Sequence, residues 1–145
     1  MNEKEMWKAF CAASGVSEDS PYEAWAFGDD ADKLANLVND GIKTGTASAY
    51  EIYAIDGESI PSEGEYNVIL DSKDQAVCVT KTVRVYVTPF CEVDSRHAKL
   101  EGEGDFSLEY WRQVHEAFFT SELASVGLTF SEKTPIVCEE FVKVF

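Results

Sequence analysis

The amino-acid sequence predicts an α+β fold. Its strand-like segments are concentrated in the middle of the chain, and its helical patterns lie mostly to either side of them. A regular alternation of strands and helices, which would indicate a doubly wound parallel sheet, is missing. With 145 residues, 45% of them apolar, the chain suits one domain with a core of its own. We therefore expect a single α+β domain over residues 1–145.

Two helices are predicted in the first part of the chain, with the extended aromatic segment Trp25–Gly28 between them. Asn2 and Glu5 have the spacing of a capping box, and apolar residues then recur at helical spacing. This pattern predicts an N-terminal helical extension at about residues 1–20. The second helix begins at the Asp29–Asp30 pair and ends at Gly41, where a left-handed glycine would close it.

The strand-like segments follow. Tyr50–Ile55 and Tyr66–Leu70 have strand composition and are separated by a connection rich in glycine, proline and serine. The strongest strand pattern is Ala76–Thr88, in which valines alternate with threonine, arginine and tyrosine. It predicts a long half-buried strand with its valines on one face, or two strands joined by a kink. Pro135–Phe145 is expected to close the chain as another strand.

Two helices are expected in the second half of the chain. A short one lies around Val93–Leu100, and the acidic, glycine-containing segment Glu101–Asp105 follows it. Ser107 has the position of an N-cap for the longest helix. The buried stripe of that helix is predicted to comprise Leu108, Trp111, His115 and Phe118.

The charge balance limits the partners. The chain has 27 acidic and 12 basic residues, a formal charge of -15. Extended nucleic acids bind through lysine and arginine, whose contacts release counterions from phosphates, so this surface disfavours them. We therefore expect no DNA partner, and a small ligand or a single nucleotide fits better than a long RNA.

The remaining composition suggests a cytoplasmic protein. No segment has the pattern of a signal peptide, and no apolar run is long enough to span a membrane. The four cysteines are scattered without a C-x-x-C pair, so they are interpreted as core residues in a reducing compartment. No metal and no cofactor is expected, and a divalent ion in the acidic segment Glu101–Asp105 stays an open alternative, although its spacing does not reproduce a calcium loop.

One short motif carries a family resemblance. Gly41 to Thr46 resembles the G-x-K-x-x-T motif that opens the ASCH domain, a branch of the PUA-like superfamily linked to RNA. The resemblance to the longer ASCH branch extends from Trp25 to the C-terminus. It includes Trp25–Gly28, Pro89–Phe90, His97–Ala98, Glu101–Asp105, Ser107–Arg112 and His115.

The resemblance implies a PUA-like fold, a small β-barrel flanked by helices. Some compact members of the family are amidohydrolases that deacetylate N4-acetylcytidine with a threonine, a lysine and a glutamate, and at least one longer member is associated with ribonuclease activity. Carried over by motif, these catalytic residues are Thr46, Lys43 and Glu101. The motif often ends in arginine, where this chain has Ser48, and a cation that could grip a phosphate or a base is thereby lost.

Two divisions of labour suit these groups. Lys43 is either a neutral base that activates the Thr46 hydroxyl, with Glu101 orienting it or carrying a proton, or a charged clamp for the oxyanion, with Glu101 as base. In a regular strand Lys43 and Thr46 would point to opposite faces. A bend is therefore needed, and Gly41 and Gly45 permit one.

The substrate side of the site is predicted from neighbouring polar and aromatic groups. Aromatic rings can stack on a base, and hydroxyls and guanidinium groups can contact its polar atoms or a phosphate. These candidates are Trp25, Phe27, Thr44, Ser48, Arg84, Tyr110 and Arg112. The leading hypothesis is an amidohydrolase acting on an N4-acylated cytidine or a related small nucleoside. The alternative is a module that binds RNA or a modified nucleotide, with weak ribonuclease activity or none.

Overall fold

The protein is described by a computed structural model that covers residues 1–145. The elements in chain order are α1 (Glu3–Ser14), β1 (Tyr22–Ala26), α2 (Ala31–Asn39), β2 (Gly45–Ala49), α3 (Tyr50–Ile55), β3 (Tyr66–Leu70), β4 (Ala76–Pro89), a 3₁₀ turn (Phe90–Glu92), α4 (Ser95–Glu101), α5 (Leu108–Ser125) and β5 (Pro135–Lys143). The strands form one sheet in the order β1-β3-β4-β5-β2. β1 runs parallel to β3, whereas β3 pairs antiparallel with β4 and β2 with β5. The predicted α+β class is confirmed.

The chain folds as two compact units, and both β4 and β5 contribute to each. The first unit comprises Met1–Thr44, Ser62–Arg84 and Phe141–Phe145, and the second comprises Gly45–Pro61 and Val85–Glu140. The assignment of residues 1–145 to a single domain stays a prediction. None of the helices combines the length and the apolar character that crossing a membrane requires.

The first unit is built around α1, α2 and the β1–β3 pair. The capping box of α1 is confirmed, because Asn2 and Glu5 each accept a hydrogen bond from the other's backbone N–H. Trp7 and Phe10 of α1 pack on Tyr66 of β3, with ring centroids 5.6 and 5.4 Å from the Tyr66 ring. Aromatic pairs at this separation stabilise a core beyond the area that they bury, so α1 is an integral part of this unit.

The second unit has a core of its own between α4, α5 and the β2–β5 pair. Trp111, Phe119 and Leu123 are the buried residues of α5, and Ala49, Ile136 and Cys138 meet them from the strands. Of the predicted stripe, Trp111 is buried, and Leu108, His115 and Phe118 are partly buried, with Leu108 and Phe118 packed against this core. Ser107 is the N-cap as predicted, since its side chain accepts from the Tyr110 N–H.

Tyr50–Ile55 forms a helix, so the strand predicted there is wrong. Five of its six residues are apolar, Glu51 being the exception, and so short a segment has too few positions to separate the helical period from the strand period. The deciding signal is Gly57, which adopts φ +68°. The chain then closes as a helix end does, with the Glu58 N–H donating to the Tyr53 carbonyl.

The predicted valine face of the long strand is also wrong in part. Val83 and Val87 are exposed by 47% and 44%, while Thr80 and Thr82 are buried. The Thr82 hydroxyl accepts a hydrogen bond from the Asn67 side chain. Burying a hydroxyl with a partner costs little, and the apolar count of each face therefore did not identify the inner one.

Candidate functional site

Glu101 ends α4 and lies among ring nitrogens in the second unit. His97 Nε2 is 2.7 Å from its Oε2, and the Trp111 indole N–H donates to the same oxygen. His115 Nε2 lies 3.5 Å from the other oxygen, Oε1. An indole N–H can only donate, so the Glu101 carboxyl acts here as an acceptor while being only 1% exposed.

Helical spacing brings these four groups together. His97 and Glu101 are four residues apart on α4, and Trp111 and His115 are four apart on α5, so each pair shares one face of its helix. The side chain of Asp94 caps α4 by accepting from the His97 N–H. A capped start fixes the rotation of such a short helix, and α4 therefore presents both of its site residues to α5.

His115 is oriented from both ring nitrogens. Its Nδ1 lies 2.8 Å from the Trp111 carbonyl oxygen, so Nδ1 carries a proton and donates, and Nε2 faces Glu101. Burial lowers the pKa of His115, but the charge of Glu101, its hydrogen bond and the Trp111 carbonyl together raise that pKa above its usual value. The raised pKa reflects a preference for the protonated ring beside the carboxylate.

Three groups in this region could hold a metal ion. Ligand atoms of Glu101, Glu103 and His115 all lie within 4.8 Å of one another. Carboxylate oxygens with an imidazole nitrogen are a donor set that suits a divalent transition metal. The Nδ1 hydrogen bond of His115 also orients Nε2 as in metal-bound histidines. The sequence led us to expect no metal, and that expectation stays a prediction.

Thr46 and Ser48 lie in β2, and β5 runs alongside them. Thr46 is the cross-strand partner of Glu139, and Ser48 that of Val137. The Ser48 hydroxyl is 2.8 Å from the Tyr53 hydroxyl of α3. Burial raises the pKa of Tyr53, the Ser48 hydrogen bond lowers it, and the negative charge of Glu139 adds to the increase. Thr46, Ser48, Tyr53 and Glu139 thus form a second polar group, which we call the hydroxyl face.

The hydroxyl face and Glu101 belong to opposite sides of the β2–β5 ladder. A Cβ added at Gly45 would lie 3.2 Å from Leu100 Cβ and 3.6 Å from His97 Cε1, so Gly45 faces α4. Ala47 shares that side and packs against the core that contains Trp111. Side chains alternate along a strand, which directs Thr46 away from α4 and from Glu101.

Lys43 belongs to the first unit and is buried there, with 1% of its surface exposed. It precedes β2, in a segment without regular structure after Gly41. Gly41 has φ +76°, as predicted for the residue that closes α2. Lys43 Nζ lies over the Phe27 ring, 5.4 Å from its centroid. This arrangement stabilises a charged amine.

The other predicted residues of the first unit are Trp25, Phe27, Thr44 and Arg84. The Trp25 and Phe27 rings meet edge to face at 4.8 Å, and the Trp25 indole N–H donates to Asn67 at 2.9 Å. Both rings are partly exposed. Thr44 accepts at its backbone carbonyl from the Phe141 N–H, and Arg84 has an exposed side chain.

Tyr110 and Arg112 lie at the start of α5 in the second unit. The Tyr110 ring occupies the space beside Gly104, where an added Cβ would lie 2.5 Å from the ring. Arg112 Nη2 donates to the carbonyls of Cys91 and Val93. Arg112 therefore ties α5 to the segment before α4, and a role of either residue in substrate binding stays a prediction.

Sequence reasoning identified Glu101 but missed most of its surroundings. The sequence predicts Trp111 and His115 as part of a buried stripe, and it indicates His97 only as part of the family resemblance. The two spacings of four residues, with a hydrogen-bonding ring at three of the four positions, were the available signal. Glu139 was missed altogether, because only the pairing of β2 with β5 places it opposite Thr46.

A known protein family and several solved structures share this architecture. A family model for the ASCH domain matches residues 23–145, whereas no curated protein matches the chain. The crystal structure of an ASCH domain from Lactobacillus crispatus JV V101 is 29% identical, with a TM-score of 0.86, over 97% of this chain and 94% of that one. A crystal structure of a protein from Enterococcus faecalis V583 is 30% identical, with the same TM-score, over 97% of this chain and 86% of that one.

A third structure, of a hypothetical protein, shares only the fold. It is 14% identical with a TM-score of 0.54, over 84% of this chain and 97% of that one. The expected fold of the PUA-like type is confirmed by the two more similar structures. Because the family match spans most of the sequence, the chain belongs to the ASCH-domain family.

Proposed function

We propose that the protein is an amidohydrolase that removes the acyl group from an N4-acylated cytidine or a related modified nucleoside. Membership of the ASCH family supports a module that binds RNA or nucleotides or acts as a hydrolase. The observation that carries the finer proposal is the burial of two of the three motif residues. Lys43 and Glu101 are each only 1% exposed. Lysine and glutamate are almost never buried in this way without a structural or functional reason.

Thr46 is the proposed nucleophile. Its Oγ1 attacks the acyl carbonyl, the C–N bond breaks, and the exocyclic amine leaves with a proton. Water then hydrolyses the threonyl ester, which releases the carboxylic acid and restores the hydroxyl. Thr46 is partly exposed, as a nucleophile that must meet its substrate has to be.

Lys43 and Glu101 have supporting roles in this proposal. Of the two divisions of labour, we take the charged clamp for Lys43, because a cation is stabilised over the Phe27 ring. The role of base that goes with it for Glu101 is not adopted, because Thr46 points away from the α4 side of the β2–β5 ladder. Glu101 is fixed as an acceptor by Trp111 and His97. These contacts suit a carboxylate that orients its neighbours.

The aromatic pair of the first unit suits a nucleobase. Trp25 and Phe27 are partly exposed rings held in one geometry by their mutual contact and by the hydrogen bond to Asn67. Base stacking on such rings tolerates any base, so polar contacts must choose among bases. In this proposal those contacts come from Thr44, Ser48, Arg84, Tyr110 and Arg112.

Turnover of defined substrates tests the proposal. The protein is incubated with N4-acylated cytosines and cytidines, and release of the free base or nucleoside is followed by chromatography. We expect release of cytidine from at least one N4-acyl cytidine, and a loss of more than about 10³-fold for Thr46→Val. Thr120→Val, an exposed position on α5, is the matched control and should retain wild-type turnover. Unchanged turnover in Thr46→Val would remove Thr46 from the mechanism.

The family also supports the alternative, a module that binds RNA or a modified nucleotide without hydrolysing an amide. The dependence on salt concentration distinguishes the amidohydrolase from the binding module. Binding to an RNA backbone should weaken steeply as salt is added, since each phosphate contact releases counterions. Turnover of an uncharged nucleoside should change little between about 50 and 200 mM salt. The formal charge of -15 favours the nucleoside.

A further inference from the structure

The second unit contains three buried carboxylates, those of Glu101, Glu139 and Glu140, and the motif accounts for only the first. Glu139 lies in β5 with 6% of its surface exposed. It is the direct cross-strand partner of Thr46. Partners across an antiparallel ladder have Cβ atoms about 5 Å apart and side chains on the same face, which places the Glu139 carboxylate within reach of the Thr46 hydroxyl.

The groups around Glu139 have the chemistry of proton transfer. Thr46, Ser48 and Tyr53 each contribute a hydroxyl to this face, and the last two are joined at 2.8 Å. The charge of Glu139 acts on Tyr53, whose pKa is raised chiefly by burial and further by that charge. Glu58 and Glu122 also act on Tyr53. The hydroxyl face therefore gathers a buried carboxylate and three exchangeable protons.

The neighbouring Glu140 is a buried carboxylate on the same strand that points to the opposite face. It is 8% exposed and forms two hydrogen bonds with Arg96, at 2.8 and 3.0 Å. Glu140 pairs with Gly45 and so points to the side that faces α4. Glu140 is thus ion-paired with Arg96 and lies on the side of the strand away from Thr46, whereas Glu139 lies opposite Thr46.

We propose that Glu139 is the general base that takes the proton of Thr46. This inference rests on the proposed amidohydrolase function. The carboxylate accepts the Oγ1 proton as Oγ1 bonds to the acyl carbon, and it returns that proton to the leaving exocyclic nitrogen as the C–N bond breaks. In the second half it takes a proton from the attacking water and gives it to Oγ1 as the ester bond breaks, so that no proton or electron pair is left over.

Glu101 is then a positioning residue. Its Oε2 accepts from Trp111 and lies 2.7 Å from His97 Nε2, and its side chain lies on the α4 side of the ladder. Transfer from Thr46 to Glu101 would have to cross the ladder. Transfer to Glu139 proceeds between adjacent side chains on one face.

Glu139→Gln tests this assignment in the full-length protein. Removing a general base lowers kcat by about 10²- to 10⁴-fold, so we expect such a fall, with the acidic limb of the kcat/KM profile lost. Added formate should restore part of the turnover of Glu139→Ala, an effect that a structural role would not give. Glu140→Gln, on the same strand and similarly buried, is the matched control, and circular dichroism verifies that all variants fold.

The outcomes separate the two proposals. Wild-type turnover in Glu139→Gln, with Thr46→Val inactive, overturns the role of Glu139 and leaves the proposed function standing. A wild-type protein that releases no cytidine from any N4-acyl substrate overturns the proposed function and the role of Glu139 with it. If Glu139→Gln does not fold, Glu139→Asp and Glu139→Asn replace it, because both shorten the chain and only the first retains a carboxylate. Equal turnover in these two overturns the proposal.

Discussion

Each side of the β2–β5 ladder has a buried carboxylate, and the groups that surround the two carboxylates differ. On the α4 side, Glu101 is surrounded by nitrogen donors from His97, Trp111 and His115. On the other side, Glu139 lies across from a threonine hydroxyl. Both carboxylates are buried, so burial alone does not separate their roles.

The chemistry of the neighbouring groups is therefore the better guide to the role of each carboxylate. Donors that are fixed by the fold, such as an indole N–H, stabilise one state of a carboxylate and resist its change. A hydroxyl can donate or accept, so a carboxylate beside it can take part in proton transfer. Substitutions on the α4 side should therefore change the free energy of unfolding. Substitutions on the hydroxyl face should change the turnover rate.

The largest stability effect is expected from Glu101→Leu. This change leaves the N–H groups of His97 and Trp111 buried without their acceptor. Removing one partner of a buried charged pair costs about 3–5 kcal/mol. Urea denaturation followed by tryptophan fluorescence measures the loss in the free energy of unfolding.

Glu103→Gln is the matched control for that change. Glu103 is less buried than Glu101 and follows the end of α4, and its variant should lose under about 1 kcal/mol. Equal losses of unfolding free energy in the two variants would mean that the contacts of Glu101 with the ring nitrogens do not stabilise the fold.

A smaller effect is expected from Trp111→Phe. The phenyl ring retains stacking on Phe90, whose centroid is 5.4 Å away, but the donor to Glu101 is lost. Hydrogen bonds to charged groups contribute about 1.5–3 kcal/mol. Trp7→Phe is the matched comparison in the first unit, because the Trp7 indole donates to the neutral Glu18 carbonyl. That variant should lose only about 1 kcal/mol, and a loss as large as that of Trp111→Phe would argue against a charged acceptor.

Packing of β2 on α4 predicts a third effect. Gly45→Ala would place its Cβ 3.2 Å from Leu100 Cβ, so the strand and the helix must separate by a few tenths of an ångström. Overpacking of this kind costs about 1 kcal/mol or more, measured again as the free energy of unfolding in urea. Gly45→Val adds two further carbons on the same side and should cost more. Equal stability of all three proteins would contradict the close approach.

Local signals in the sequence predicted several of the helix ends, although Asp30 makes no side-chain cap hydrogen bond at the start of α2. The capping box at Asn2 and Glu5, the left-handed Gly41 and the Ser107 cap depend on neighbours within four residues, so the sequence displays them directly. The strand prediction for Tyr50–Ile55 was wrong because its apolar residues fit both the helical and the strand period. The glycine that follows, Gly57, indicates the helix. In a short segment of this kind, the residues at its ends indicate the structure better than the apolar pattern inside it.

The site was predicted less completely, for a different reason. Glu101 was predicted because it belongs to the family motif. Its partners lie on shared helix faces, which the spacing of four residues could have indicated. Glu139 lies 93 positions beyond Thr46 in the chain, and only strand register relates them. Pairing across such a separation is decided by tertiary structure, which a single sequence does not display.

The smallest effect concerns pH and His115. Burial lowers its pKa, but Glu101 and the other partners, including the charge of Glu103, raise it above the usual value. A group whose folded pKa is raised stabilises the fold fully below its unfolded pKa, about 6.5 for histidine, and loses that contribution as the pH rises through the folded value. The difference in unfolding free energy between wild type and His115→Gln should therefore be larger at pH 5.5 than at pH 9. A difference that grows toward pH 9 would mean that burial dominates and that the ring prefers to be neutral. Glu101 would then have lost its charged neighbour, and the contrast between the two sides of the ladder would depend on His97 and Trp111 alone.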